Sequence, residues 1–176
     1  MSVKEDLISL SDYVFDRTWH RLTGLGDAEY FWEPVAGCWS VRLTSGSAPS
    51  ADWEPSTAVP PFTTIAWRLW HLTGCYGADR NELWLRGTSD GTGEERCAPR
   101  EAASTALEAL NAAHGWWRTL LAGLPEQVLE EPLGHAAGPY AEQSRTAFVL
   151  HQLDEQIHHG AELGVLRDLY ASSQSE

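Results

Sequence analysis

The chain has 176 residues, 43% hydrophobic and 21% charged, a balance ordinary for a soluble globular protein of one domain, long enough for a real core. Twenty-five acidic residues against 12 Lys and Arg give a formal charge of −13, which repels phosphate backbones and anionic lipid and argues against nucleic-acid and membrane partners. Nine tryptophans point to a thick core, a lined pocket or a subunit interface, and make a homodimer plausible.

The N-terminus, MSVKEDLISLSDYVFD, carries acids where a signal peptide would have a long apolar run, and no apolar run is long enough to span a bilayer. A cytoplasmic protein is expected. Cys38, Cys75 and Cys97 form an odd, scattered set, with neither a disulfide framework nor a CxxC metal signature.

Four segments read as helices. The first runs from about Val3 to Leu22, with Leu7, Leu10, Val14 and Phe15 near one face and Gly24 and Gly26 beyond its end. After the Ser- and Pro-rich stretch TSGSAPSADWEPSTAVPP, read as a long loop, the second is capped by Thr63 or Thr64 and continues to Gly87. A Gly-rich link, RGTSDGTGEERCAPR, precedes the third helix, roughly Arg100 to Leu121. Its seam is Leu107, Leu110, His114, Trp117 and Leu121. EEPLGHAAGPYAEQS leads to the fourth, about Ser144 to Tyr170. No strand pattern or internal repeat stands out, so the expected fold is an all-α, four-helix bundle with negligible strand content, and its long loops are candidates for the mouth of a site.

The fourth helix carries the chemistry. At about 100° per residue, Leu150, Leu153, Ile157, Ala161 and Gly164 fall on one face, the expected core stripe, and His151, Glu155, His159 and Glu162 fall opposite. A charged stripe opposite an apolar one is usually solvated. Here, however, Phe148 precedes the stripe on the same face and Leu166 and Leu169 follow it, so the polar patch reads as an island in a second buried face. Buried carboxylates and imidazoles need partners, and a divalent cation serves. Two pairs have four-residue spacing, Glu155 with His159 and Asp154 with His158. His71 in WRLWHLTGCYG and His114 are candidates for a third ligand, and each is equally readable as a packed histidine. Cys75, one turn beyond His71, reads as packing or pocket lining. HExxH, GxSxG and phosphate-binding glycine loops are all missing.

VAGCWSVR, PPFTTIAWRLWHL and HQLDEQIHHGAELGVLRD together resemble the DinB-like superfamily, which includes thiol-dependent transferases and the mycothiol-dependent maleylpyruvate isomerase. The resemblance covers essentially the whole chain, residues 1–176. It implies a four-helix bundle with one metal ligand from the second helix and two from the fourth. The W-x-x-x-H-[LI] histidine matches His71, and the four-spaced pair ahead of a glycine matches Glu155 and His159. His151 and Glu162, about one turn away, become residues that orient the ligands.

Glu155 departs from the commonest all-histidine form. Two histidines and a carboxylate suit zinc with an open position, but the same set matches non-haem iron, and nickel also stays open. The function implied is a metal-dependent transferase or isomerase. It would use a low-molecular-weight thiol as cosubstrate against a small electrophilic substrate. Two alternatives stand beside it: a non-haem-iron thiol oxygenase, and a metal-binding or interaction protein without turnover.

Overall fold

The computed structural model describes residues 2–54 and 61–175. Part of the long loop read before the second helix, residues 55–60, lies outside them.

Helix α1, Val3–Leu22, begins with a capping box. Ser2 Oγ accepts from the Glu5 amide and the Glu5 carboxylate accepts from the Ser2 amide. A short turn, α2 (Asp27–Tyr30), leads into a two-stranded antiparallel hairpin, β1 (Val41–Arg42) and β2 (Ser50–Ala51), with Val41 opposite Ala51. Thr64 caps α3 (Ile65–Gly77), its hydroxyl accepting from the Trp67 amide at 3.2 Å. Then come α4 (Asp79–Arg86), the turn α5 (Gly93–Arg96) and α6 (Ala103–Ala122). Two 3-10 turns, Glu126–Glu130 and His135–Tyr140, precede α7 (Arg145–Ser173), which Ser144 caps.

Helices α1, α3, α6 and α7 form the bundle, α3 packing on α6 and α7, and α1 on the same two. The expected fold class is found. The small hairpin is the one sheet among the described residues, and it adjoins the start of α3. Trp39 bridges to Thr63, its amide donating to the Phe62 carbonyl and its carbonyl accepting from the Thr64 amide, both at 2.9 Å. No helix among the described residues is long and apolar enough to cross a membrane.

Three expectations need correction. The second helix is two, broken at Ala78, whose backbone is extended. The buried Asn81 side chain causes the stop locally, donating to the Cys75 and Tyr76 carbonyls at 2.8 and 2.9 Å and so satisfying the last turn of α3. In α1, Leu10 faces solvent while Leu7, Val14 and Phe15 are buried.

The third correction concerns α7. Leu150 and Ile157 are 51% and 38% exposed and Ala161 is exposed. The buried arc instead runs through Val149, Gln152, Leu153, Gln156, Gly160 and Leu163. Polar and small residues occupy its centre because α1 approaches closely: Gln156 accepts from Ser11 Oγ at 3.2 Å, and Gly160 lies against Thr18 Oγ1. The polar patch consequently sits at the rim of this arc. Phe148 and Leu166 flank it and are buried, as the island reading expects, whereas Leu169 is exposed.

Candidate metal centre

The hairpin and α3 build one wall of the site. Asp52 Oδ2 accepts from the Ser40 amide at 3.0 Å and from Arg42 Nε at 2.7 Å, and the Asp52 carbonyl accepts from Trp67 Nε1 at 2.6 Å. This holds Trp53 and Trp39 beside Trp67. One turn further along α3, the His71 ring stacks on Trp67, centroids 5.0 Å apart and planes 11° from parallel. Several of the nine tryptophans thus serve to orient a single imidazole.

Helix α7 supplies the facing wall. Glu155 Oε2 lies 3.5 Å from His71 Nε2 and 3.0 Å from His159 Nε2. The two imidazoles meet edge to face at 4.6 Å. On its other side, His159 Nδ1 is 2.7 Å from Glu162 Oε2 and 3.0 Å from Arg68 Nη1. Arg68 Nε also approaches Glu162 Oε2 at 2.9 Å, an ion pair without hydrogen-bond alignment. The two nitrogens of His159 therefore face different tasks. Nδ1 is held by Glu162, and Nε2 points at the carboxylate it shares with His71.

Each sequence-identified residue can now be placed. His71, Glu155 and His159 come together around one carboxylate oxygen. Glu162 stands behind His159. His151 is exposed and reaches only 3.9 Å from Glu155 Oε1. Of the alternative pair, Asp154 is exposed, and His158, also exposed, bonds Glu162 Oε1 at 3.2 Å. His114 is elsewhere in the bundle. It stacks on Phe15 at 3.8 Å with Asp12 Oδ1 3.5 Å from its Nε2. Arg68 escaped the sequence reading, although it lies one turn before His71 on the same helix.

Two separate sets of donor atoms each lie within 4.8 Å of one another: His71, Cys75 and Glu155, and His158, His159 and Glu162. The short Glu155–His159 contact joins the two sets. Protonation states separate the better donors from the poorer. Burial lowers the His71 pKa and favours the neutral, ligating form. Hydrogen bonds from His159 and then His71 hold Glu155 well below the usual carboxylate range, so it is an anion. Burial pushes the Cys75 thiol up to about 12, which makes it a neutral thiol. Burial disfavours a charged His159, but the carboxylates of Glu155 and Glu162 outweigh that effect and raise its pKa. The two carboxylates thus favour a proton on the ring that lies between them.

Beside the cluster, a cavity of about 540 Å³ opens between the start of α3 and the second half of α7. Phe62, Val165, Leu166 and Leu169 make its apolar walls, and Arg68, His159 and Glu162 its polar floor. This is a concave site of the kind that takes a small molecule.

Comparison with curated proteins and with solved structures gives no match. The DinB superfamily model matches residues 12–163, from the middle of α1 through the Glu155, His159 and Glu162 stretch of α7. The chain belongs to the DinB superfamily.

Proposed function

We propose that His71, Glu155 and His159 hold one divalent first-row ion, zinc in first place, and that the protein uses it as a thiol-dependent transferase or isomerase. The observation that supports this best is the pair of contacts to Glu155 Oε2, at 3.0 and 3.5 Å. Ligand atoms bound about 2.1 Å from one ion stand roughly 3.0–3.4 Å apart, close to the two separations measured from Glu155 Oε2. Neutral His71 and anionic Glu155 are in their ligating forms, and Glu162 on Nδ1 fixes the ring of His159.

The bound ion would neutralise the carboxylates and favour the thiolate form of a small thiol at an open position. The remaining work falls to the chain. The stack on Trp67 orients His71, and Glu162, itself paired with Arg68, accepts from His159 Nδ1 and orients that ring. The cavity offers Phe62, Val165, Leu166 and Leu169 as apolar surface for a substrate body, and Arg68 keeps its floor from being wholly anionic. No protein nucleophile is needed, in keeping with the neutral Cys75 thiol.

Two histidines and a carboxylate also form the facial triad of non-haem iron, so a thiol oxygenase is the second reading. Elemental analysis of freshly purified protein, followed by thiol-consumption assays with several electrophiles, separates the two. The first reading expects zinc and electrophile-dependent thiol consumption that chelation abolishes. Iron with thiol-dependent oxygen uptake would favour the second. Protein that takes up no divalent metal would overturn both.

A further inference from the structure

A second cavity, of about 310 Å³, lies between α4, the turn ending at Tyr140 and the start of α7. Arg80, Trp84, Tyr140, Phe148 and His151 line it. The Arg80 guanidinium lies 5.5 Å from the Trp84 ring centre and 5.7 Å from that of Phe148. In the amide orientation that satisfies both ends, fully buried Gln152 accepts from Arg80 Nη2 and donates to the Cys75 carbonyl. Among the described residues, these neutral groups are the partners of Arg80, and no carboxylate reaches it.

Most of the 12 Lys and Arg have a carboxylate partner, but Arg80, like Lys4, Arg17 and Arg100, has none among the described residues. Arg68 is paired with Glu162, and Arg145 and Arg167 with Glu131 and Glu29. Arg80, exposed on α4, is instead steered by aromatic faces and one buried amide, which leaves its guanidinium open to solvent and to the cavity with no carboxylate on it. A guanidinium fork fits a carboxylate with two parallel hydrogen bonds. A single cation also balances a monoanion better than a doubly charged phosphate. His151 connects this cavity to the metal cluster, since it lines the one and stands 3.9 Å from Glu155 in the other.

We infer that the Arg80 cavity binds the carboxylate of a small substrate with an apolar or unsaturated body, and that this substrate extends past His151 towards Glu155. Where the substrate reacts rests on the metal-dependent reading above. The binding of its carboxylate does not.

The test uses 3-phenylpropionate and its neutral amide as probes. Each is titrated into metal-stripped and metal-loaded protein, read by calorimetry and by the NMR shift of the Trp84 indole N–H. The acid should bind the stripped protein and move that signal, and the amide should bind at least about tenfold more weakly. Arg80→Gln should bring the acid down to the level of the amide. Equal binding of acid and amide, or acid binding unchanged in R80Q, overturns the inference. Acid binding confined to metal-loaded protein and indifferent to R80Q places the carboxylate on the metal, which overturns the inference and leaves the metal reading standing. Arg80-dependent binding to a protein that takes up no metal supports the inference and removes the metal reading.

Discussion

Trp67 and His71 lie one turn apart on α3 with their rings nearly parallel, 11° between planes at a centroid distance of 5.0 Å. The tryptophan is itself fixed by its N–H to the Asp52 carbonyl. A ligand imidazole whose rotamer is set in advance loses little freedom on binding an ion. Trp67→Leu should therefore weaken metal affinity by about tenfold or more, while the ligands themselves remain. A competition titration with a chromophoric chelator measures this, and an unchanged affinity would show that the stack has no part in holding His71.

The metal-stripped protein should show a distinct pH response. The raised pKa of His159 means its stabilisation is complete below its unfolded value of about 6.5 and is lost as pH rises through the higher folded value. Glu155 has a depressed pKa, so its contribution is complete above an unfolded value of about 4.3 and is lost as pH falls towards the folded one. Between those limits both contribute. Thermal unfolding should show stripped protein losing stability from pH 6 to pH 9, and Glu155→Gln should flatten that slope. Added metal must displace the His159 proton, so its stabilising shift should grow from pH 6 to pH 8. A stripped protein whose excess stability over E155Q increases towards pH 9 would contradict the His159–Glu155 coupling.

The glycine that follows the two adjacent histidines has a packing role. A Cβ on Gly160 would collide with Thr18 Oγ1, where α7 crosses the buried side of α1. Gly160→Ala should cost about 1–3 kcal/mol in chemical denaturation, in the range of overpacked cores. The double variant with Thr18→Ala should recover part of that loss. Full stability in G160A alone would mean that the two helices can separate at no cost.

The cysteines should be poor nucleophiles. Burial pushes Cys75 up to about 12 and Cys97 up to about 11, and also raises Cys38. Alkylation of native protein by iodoacetamide at pH 8 should be much slower than that of a free thiol or of unfolded protein. Rapid, selective labelling of Cys75 would point to a protein thiolate and to a different mechanism.

The bundle was legible in the sequence because α1, α6 and α7 are long segments with recurring apolar residues, and Ser2 and Ser144 cap α1 and α7. The break at Ala78 was not, since it depends on the Asn81 side chain folding back onto the Cys75 and Tyr76 carbonyls. The core face of α7 was misread for a related reason. Its centre holds Gln152, Gln156 and Gly160, polar or small residues whose burial follows from partners on other helices, while Leu150 and Ile157 look outward. Periodicity records hydrophobicity and has no access to such partners. For the candidate site, four-residue spacing left two registers open, and the family resemblance chose between them. Arg68 and Arg80 carried no signal, because an arginine on a helix reads as surface until the structure shows the groove it lines.

The register of the metal pair is the most direct point of attack. Glu155 stands against His71 and His159, whereas neighbouring Asp154 is exposed. Metal content and affinity should be measured side by side for the unaltered protein, Glu155→Ala and Asp154→Ala, by elemental analysis and chelator competition. The expected result is one bound ion in the unaltered protein and in D154A, with loss of the ion or a drop of at least about a hundredfold in affinity in E155A. Retention of metal by E155A together with its loss from D154A would contradict the assignment of Glu155.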